Sequence, residues 1–239
     1  MEKNIPCITK NLDAGYGGVA YIRNINIQVG KTEKVAIIGP NGAGKTTIMN
    51  TLVGILKPLR GEVQIFGNDI RYLEPHKIVE LGISIVPEGG RVFPRLTVLE
   101  NILASISRNR KTSITLEELF RLFPILKDRK DQLAGTLSGG EQRMLAIARA
   151  IARSPKFLIV DELSLGLAPK IISAIYASLN VLWETANISM LITEQYIKRA
   201  LEFSHRAYLV ENGSIVLEGP SVELLDNPNI KETYLKIHE

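Results

Sequence analysis

Short apolar runs separate longer amphipathic stretches along the chain. Lys34-Val35-Ala36-Ile37-Ile38 is β-branched and stops at Gly39, which predicts a buried strand feeding a loop. Ile48, Leu52 and Leu56 then recur at four-residue spacing and predict a helix over 46–56, stopped by Pro58 and Gly61. Phe157-Leu158-Ile159-Val160 and Ser189-Met190-Leu191-Ile192 repeat the strand pattern, with Ile171, Ile175, Leu179 and Leu182 marking a helix between them. This alternation predicts a parallel sheet. Residues 207–210 and 214–217 flank Asn212-Gly213, a pair suited to a tight hairpin, so an antiparallel β-ribbon layer is expected beside the α/β core. From 93 to 153 helical spacing replaces the strand pattern, at 98–106, 116–122 and 141–153, with breaks at Pro124 and Gly135.

The 239 residues are 45% hydrophobic and 23% charged, a balance suited to a packed globular chain, and no linker or repeat divides them. One domain is expected: an α/β core over 1–92 and 154–239, with a helical subdomain over 93–153. The longest uncharged stretch, 171–183, has 13 residues and is too short and polar for a membrane span. Met1-Glu2-Lys3-Asn4-Ile5-Pro6 lacks an apolar signal core, so a cytoplasmic chain with only a peripheral membrane role is expected. Cys7, the sole cysteine, excludes an internal disulfide, and among Ile5, Ile8 and Leu12 it predicts a buried thiol in a first strand. The net charge of +4 is dispersed, and the cluster Arg108-Asn109-Arg110-Lys111 is expected to be solvated loop charge, so nucleic acid is not an implied partner.

Gly39-Pro40-Asn41-Gly42-Ala43-Gly44-Lys45-Thr46, followed by Thr47, satisfies the pattern G-x-x-x-x-G-K-[ST] between a strand and a helix. Glycines permit close backbone approach to phosphate, Lys45 neutralises β- and γ-oxygens, and the Thr46 hydroxyl can ligate Mg²⁺. Asp161 and Glu162 end a strand on the same predicted edge, with Asp161 expected to hold Mg²⁺ and Glu162 to deprotonate the attacking water of ATP. Ser138-Gly139-Gly140-Glu141 reads locally as a capping box, Ser138 capping a helix and Glu141 bonding back. The same hydroxyl and bare glycines at a helix N-terminus also make a second anion site.

Leu137-Ser138-Gly139-Gly140-Glu141-Gln142 resembles the signature of ATP-binding cassette (ABC) ATPases, and the resemblance covers nearly the whole chain. It implies a P-loop NTPase core with an antiparallel β subdomain and a helical insertion. It also implies a head-to-tail dimer in which Ser138, Gly139 and Gly140 meet ATP held by another subunit, identical or related. Tyr16 occupies the place of the adenine-stacking aromatic, with Tyr21 as the fallback. Glu88 stands where most cassettes have a Mg²⁺-touching Gln, and Gln195 stands where they have a switch His. Val86-Pro87-Glu88-Gly89-Gly90-Arg91-Val92-Phe93-Pro94, Ser164-Leu165-Gly166-Leu167-Ala168-Pro169 and Glu194-Gln195 resemble the ATPases of branched-chain amino acid importers. That subfamily carries a second Arg where Gly90 stands, and Leu163 departs from the usual Pro, which implies a looser turn at Glu162. The resemblance implies a catalytic set of Glu162, Gln195 and Lys45, membrane permease subunits as partners, and an extracytoplasmic solute-binding protein acting indirectly. A cassette for urea or amides, a soluble cassette acting on nucleic acid, and an assembly protein without turnover are the alternatives.

Overall fold

Uninterrupted apolar runs become the buried centre of a six-stranded sheet in the computed structural model, which describes residues 5–106 and 114–235; the basic cluster at 108–111 lies outside them. In chain order the strands are β1 (Cys7–Tyr16), β2 (Val19–Ile25), β3 (Gln28–Val29), β4 (Lys34–Ile38), β5 (Pro58–Ile65), β6 (Asn68–Asp69), β7 (Ile83–Val86), β8 (Phe157–Val160), β9 (Ser189–Glu194), β10 (Arg206–Glu211) and β11 (Ser214–Pro220). The larger sheet runs β11-β10-β4-β9-β8-β7, and every pair in it is parallel except β10 with β11. Its registers pair Ile38 with Glu194, Val160 with Ile192, and Val86 with Val160. The carboxyl ends of β4, β7, β8 and β9 therefore share one edge, where α/β sheets bind ligands.

Both faces of this sheet are covered, which is why β4 and β8 are buried at every position and show no alternation. Val35 and Ile37 pack toward one core with Cys7, Leu12, Ile22 and Ile48. Ala36 and Ile38 face the other core with Leu145, Ile175 and Leu201. The helices are α1 (Lys45–Leu52), α2 (Pro75–Glu80), α3 (Val98–Leu103), α4 (Leu116–Leu122), α5 (Pro124–Asp128), α6 (Gly139–Ile151), α7 (Pro169–Ala186), α8 (Ile197–Phe203), α9 (Ser221–Asp226) and α10 (Pro228–Ile230). Helix α1 lies in the first core, between the two sheets, whereas α6, α7 and α8 cover the far face of the larger sheet.

Two expectations need correction. The Asn212-Gly213 turn forms, with φ of 47° and 78°, but its strand β10 is buried from Ala207 to Val210 and pairs with β4. The hairpin thus closes an edge of the parallel sheet. The separate antiparallel layer comes instead from β1, β2, β3, β5 and β6. Helix α1 stops at Leu52, short of Leu56, because Gly54 turns the chain at φ 76°, and Pro58 opens β5. Pro124 likewise starts α5 at its first position, where proline lacks only a donor that would be orphaned anyway.

Candidate functional site

Glycines build the loop between β4 and α1 for different reasons. A Cβ on Gly39 would lie 2.2 Å from the Val210 carbonyl oxygen, and one on Gly44 2.6 Å from Ile22 Cγ2. Around Gly42, at φ 78°, a Cβ meets nothing within 4 Å, and Pro40, Asn41 and Gly42 form an exposed rim. Ala43 is buried beneath it, and its carbonyl accepts from the Gly213 N–H at 3.0 Å, while the Arg23 N–H donates to the Gly213 carbonyl at 2.8 Å. The hairpin turn is thus wedged between the loop and β2. Gly44 caps α1 without any side-chain hydrogen bond, leaving the first-turn amides without a side-chain cap, as an anion site requires.

Lys45 is 4% exposed and folds back over the loop, donating to the carbonyls of Gly39 (2.9 Å) and Pro40 (3.0 Å). Its ammonium also lies 2.9 Å from Glu162 Oε1. Glu162 is buried at φ 48°, and its Oε2 finds no hydrogen-bond partner among the described residues. Its N–H donates to Thr193 Oγ1 at 2.8 Å, and that hydroxyl donates to Asp161 Oδ1 at 2.6 Å. Burial raises the Asp161 pKa against hydrogen bonds from Thr193 and Thr46, and the charges of Glu162 and Glu88 push it further up. Thr46 and Asp161 together offer hard oxygen donors, a set suited to Mg²⁺. Leu163, standing where the resemblance has Pro, is fully buried, and Arg143 donates to the carbonyls of both Asp161 and Glu162.

The other candidates do not join the hydrogen bonds of this centre. Glu88 is exposed and acts on Asp161 through charge. Gln195 is half-buried just past the end of β9. Tyr16 is 49% exposed and meets Tyr21 edge-on, with centroids 5.6 Å apart. Thr47 is buried in α1. Ser138 and Glu141 form the capping box, the Ser138 N–H donating to Glu141 Oε2 at 2.8 Å. Ser138 and Gly139 are exposed, and a Cβ on Gly139 would meet nothing within 4 Å.

Four residues of the site were not anticipated: Arg143, Thr193, Glu194 and Gly213. Glu194 is fully buried and accepts from Ser164 (2.6 Å) and Tyr176 (3.0 Å). The available signal for Arg143 was a cation beside Met144 and Leu145 on a helix face that is otherwise apolar.

A strand, a glycine loop, an uncapped helix and two acids just past the end of β8, which β9 separates from β4 in the same parallel sheet, define a P-loop nucleotide hydrolase. Residues 22–164 match the ABC transporter family (ABC_tran), and the chain belongs to that family of ATP-binding cassettes. It is an ATPase, binding and hydrolysing ATP. It is 40% identical over 222 residues to the "High-affinity branched-chain amino acid transport ATP-binding protein BraG" of Pseudomonas aeruginosa, covering 92% of this chain and 95% of that one. The "Probable branched-chain amino acid transport ATP-binding protein LivF" of Archaeoglobus fulgidus is 33% identical, over 96% of this chain and 98% of its own. At the same 33%, the "Lipopolysaccharide export system ATP-binding protein LptB" of Haemophilus influenzae aligns over 95% of both. Among solved structures, the ADP conformation of an ATP-binding cassette of an ABC transporter superposes with a TM-score of 0.79 at 29% identity, covering 98% of this chain and 99% of that one.

Proposed function

We propose that this cassette is the motor subunit of an importer for branched-chain amino acids, held peripherally at the cytoplasmic face of the membrane by permease subunits. The likeness to BraG, 40% over 92% of the chain, is the observation that carries the cargo reading. No helix among the described residues is long and apolar enough to cross a membrane, so attachment falls to partners. A groove of about 1090 Å³ lies between the core and the helical segment, walled by His76, Arg91, Phe93, Arg149 and Arg153. It is the place proposed for the permease, with Arg149 held over the Phe93 ring at 4.3 Å. Cargo reaches the permease from an extracytoplasmic solute-binding protein and never touches this chain.

In the proposed mechanism the amides of Gly42, Ala43, Gly44, Lys45, Thr46 and Thr47 receive the ATP phosphates, and Tyr16 stacks on adenine. Lys45 exchanges Glu162 for phosphate oxygens. Glu162, released, orients the attacking water and takes its proton, a contribution of about 10²–10⁴-fold. Gln195 hydrogen-bonds the γ-phosphate without adding charge. Thr46, Asp161 and Glu88 would hold Mg²⁺, which supplies neutralisation of charge on the β- and γ-oxygens when bound. Ser138, Gly139 and Gly140 come from a second cassette, identical or related, whose exposed helix N-terminus closes on the γ-phosphate.

A second reading, export of lipopolysaccharide, is favoured by the 33% identity to LptB. Purification from native membranes separates the two. Co-purifying permeases and ATPase activity stimulated by leucine, isoleucine or valine through the binding protein are expected. Stimulation by lipopolysaccharide alone would install the export reading, and an exclusively soluble complex would remove both.

A further inference from the structure

Helix α6 begins at the signature and carries Arg143 on its buried face, 4% exposed. The guanidinium donates to three main-chain carbonyls: Pro87 at 2.7 Å, Asp161 at 2.5 Å and Glu162 at 2.8 Å. One of these belongs to the residue before Glu88, and the other two to the paired acids. Gly90 makes the space for this reach. It is buried at φ 53°, and a Cβ there would lie 3.1 Å from Arg143 Cδ and 3.3 Å from Ala146 Cβ. Apolar packing of Met144, Leu145 and Ile147 already fastens α6 to the core, so a buried cation is not needed merely to hold the helix. What the planar fork adds is simultaneous hold on separate loops at fixed angles.

We infer that Arg143 is a positioning residue for hydrolysis: from the signature helix it sets the main chain of Pro87, Asp161 and Glu162, so Glu162 is aimed only while the helical segment is seated. The inference rests on the reading of Glu162 as the base. Burial lowers the Arg143 pKa, and the charges of Asp161, Glu194, Glu88 and Glu162 oppose that shift, in keeping with a guanidinium that stays a cation.

Steady-state phosphate release by the membrane complex, below any unfolding transition, tests it with three variants. Arg143→Lys keeps the charge and loses the fork; kcat is expected to fall about 100-fold, as for a small misplacement of a catalytic group, with KM for ATP near wild type. Gly90→Ala crowds Arg143 Cδ and is expected to lower kcat in the same sense. Unchanged kcat in Arg143→Lys overturns the inference, as does a loss of ATP binding that matches the loss of kcat. If Arg143→Lys does not fold, Gly90→Ala decides, and unchanged kcat there overturns it. Glu162→Gln separates the two claims. If its turnover survives, the base reading fails; if it is dead while Arg143→Lys turns over normally, only the role of Arg143 falls.

Discussion

Lys45 and Glu162 make an ion pair whose side chains are 3% and 7% exposed. Removing one partner strands a charge in a low dielectric, which costs about 3–5 kcal/mol for a buried pair. Lys45→Ala is expected to destabilise the nucleotide-free chain by about that much, and adding Glu162→Gln to recover most of it. Urea unfolding of the single and double variants measures both, and strictly additive losses would mean that the pair contributes nothing. Glu194 works in the opposite sense. Burial raises its pKa from the ordinary 4.5, against hydrogen bonds from Ser164 and Tyr176. The folded chain keeps a proton that the unfolded chain has released, so the stability this group contributes is fullest below pH 4.5 and declines as pH rises through the raised folded value. Asp161 adds the same trend from 3.8. Glu194→Gln is expected to flatten the decline in a pH series of unfolding curves; an unaltered slope would deny Glu194 its share.

Among the elements, the β10–β11 hairpin does more than end a sheet. Gly213 sits at φ 78°, and a Cβ there would lie 2.0 Å from the Tyr21 carbonyl oxygen, so its turn fixes the spacing between β2 and the phosphate loop. Gly213→Ala is expected to cost about 1–3 kcal/mol through backbone strain. It is also expected to shrink the rise in melting temperature that ATP gives, and a full nucleotide-induced rise in the variant would show that the loop does not depend on the wedge. The parallel strands were legible because burial on both faces leaves plain apolar runs, as at 34–38 and 157–160. The antiparallel layer was not. Strands β1, β2 and β5 mix polar with apolar residues, and their pairing shifts register near Leu12, Ala14 and Asp13. Pro58 and Gly61, read as breakers, lie inside β5.

At the scale of the whole molecule, local motifs carried the candidate site, because phosphate, metal and base chemistry each need particular residue types at short spacing. Arg143, Thr193 and Glu194 act through partners 56, 31 and 30 positions away; a cation on an apolar helix face marks Arg143 as buried, but no local pattern names the partners. The same separation gives the molecule its proposed logic. Lys45, Asp161 and Glu162 are assembled within one chain, while Ser138 and Gly139 are exposed, with open space around Gly139. These two half-sites of one cassette are completed by those of its partner in the proposed dimer. Its centre is the claim that Glu162, once freed from Lys45, is the base for ATP hydrolysis. Phosphate release at saturating ATP, compared between wild type and Glu162→Gln, tests this most directly. A fall of about 10²–10⁴-fold with ATP binding retained is predicted, and equal rates would contradict it.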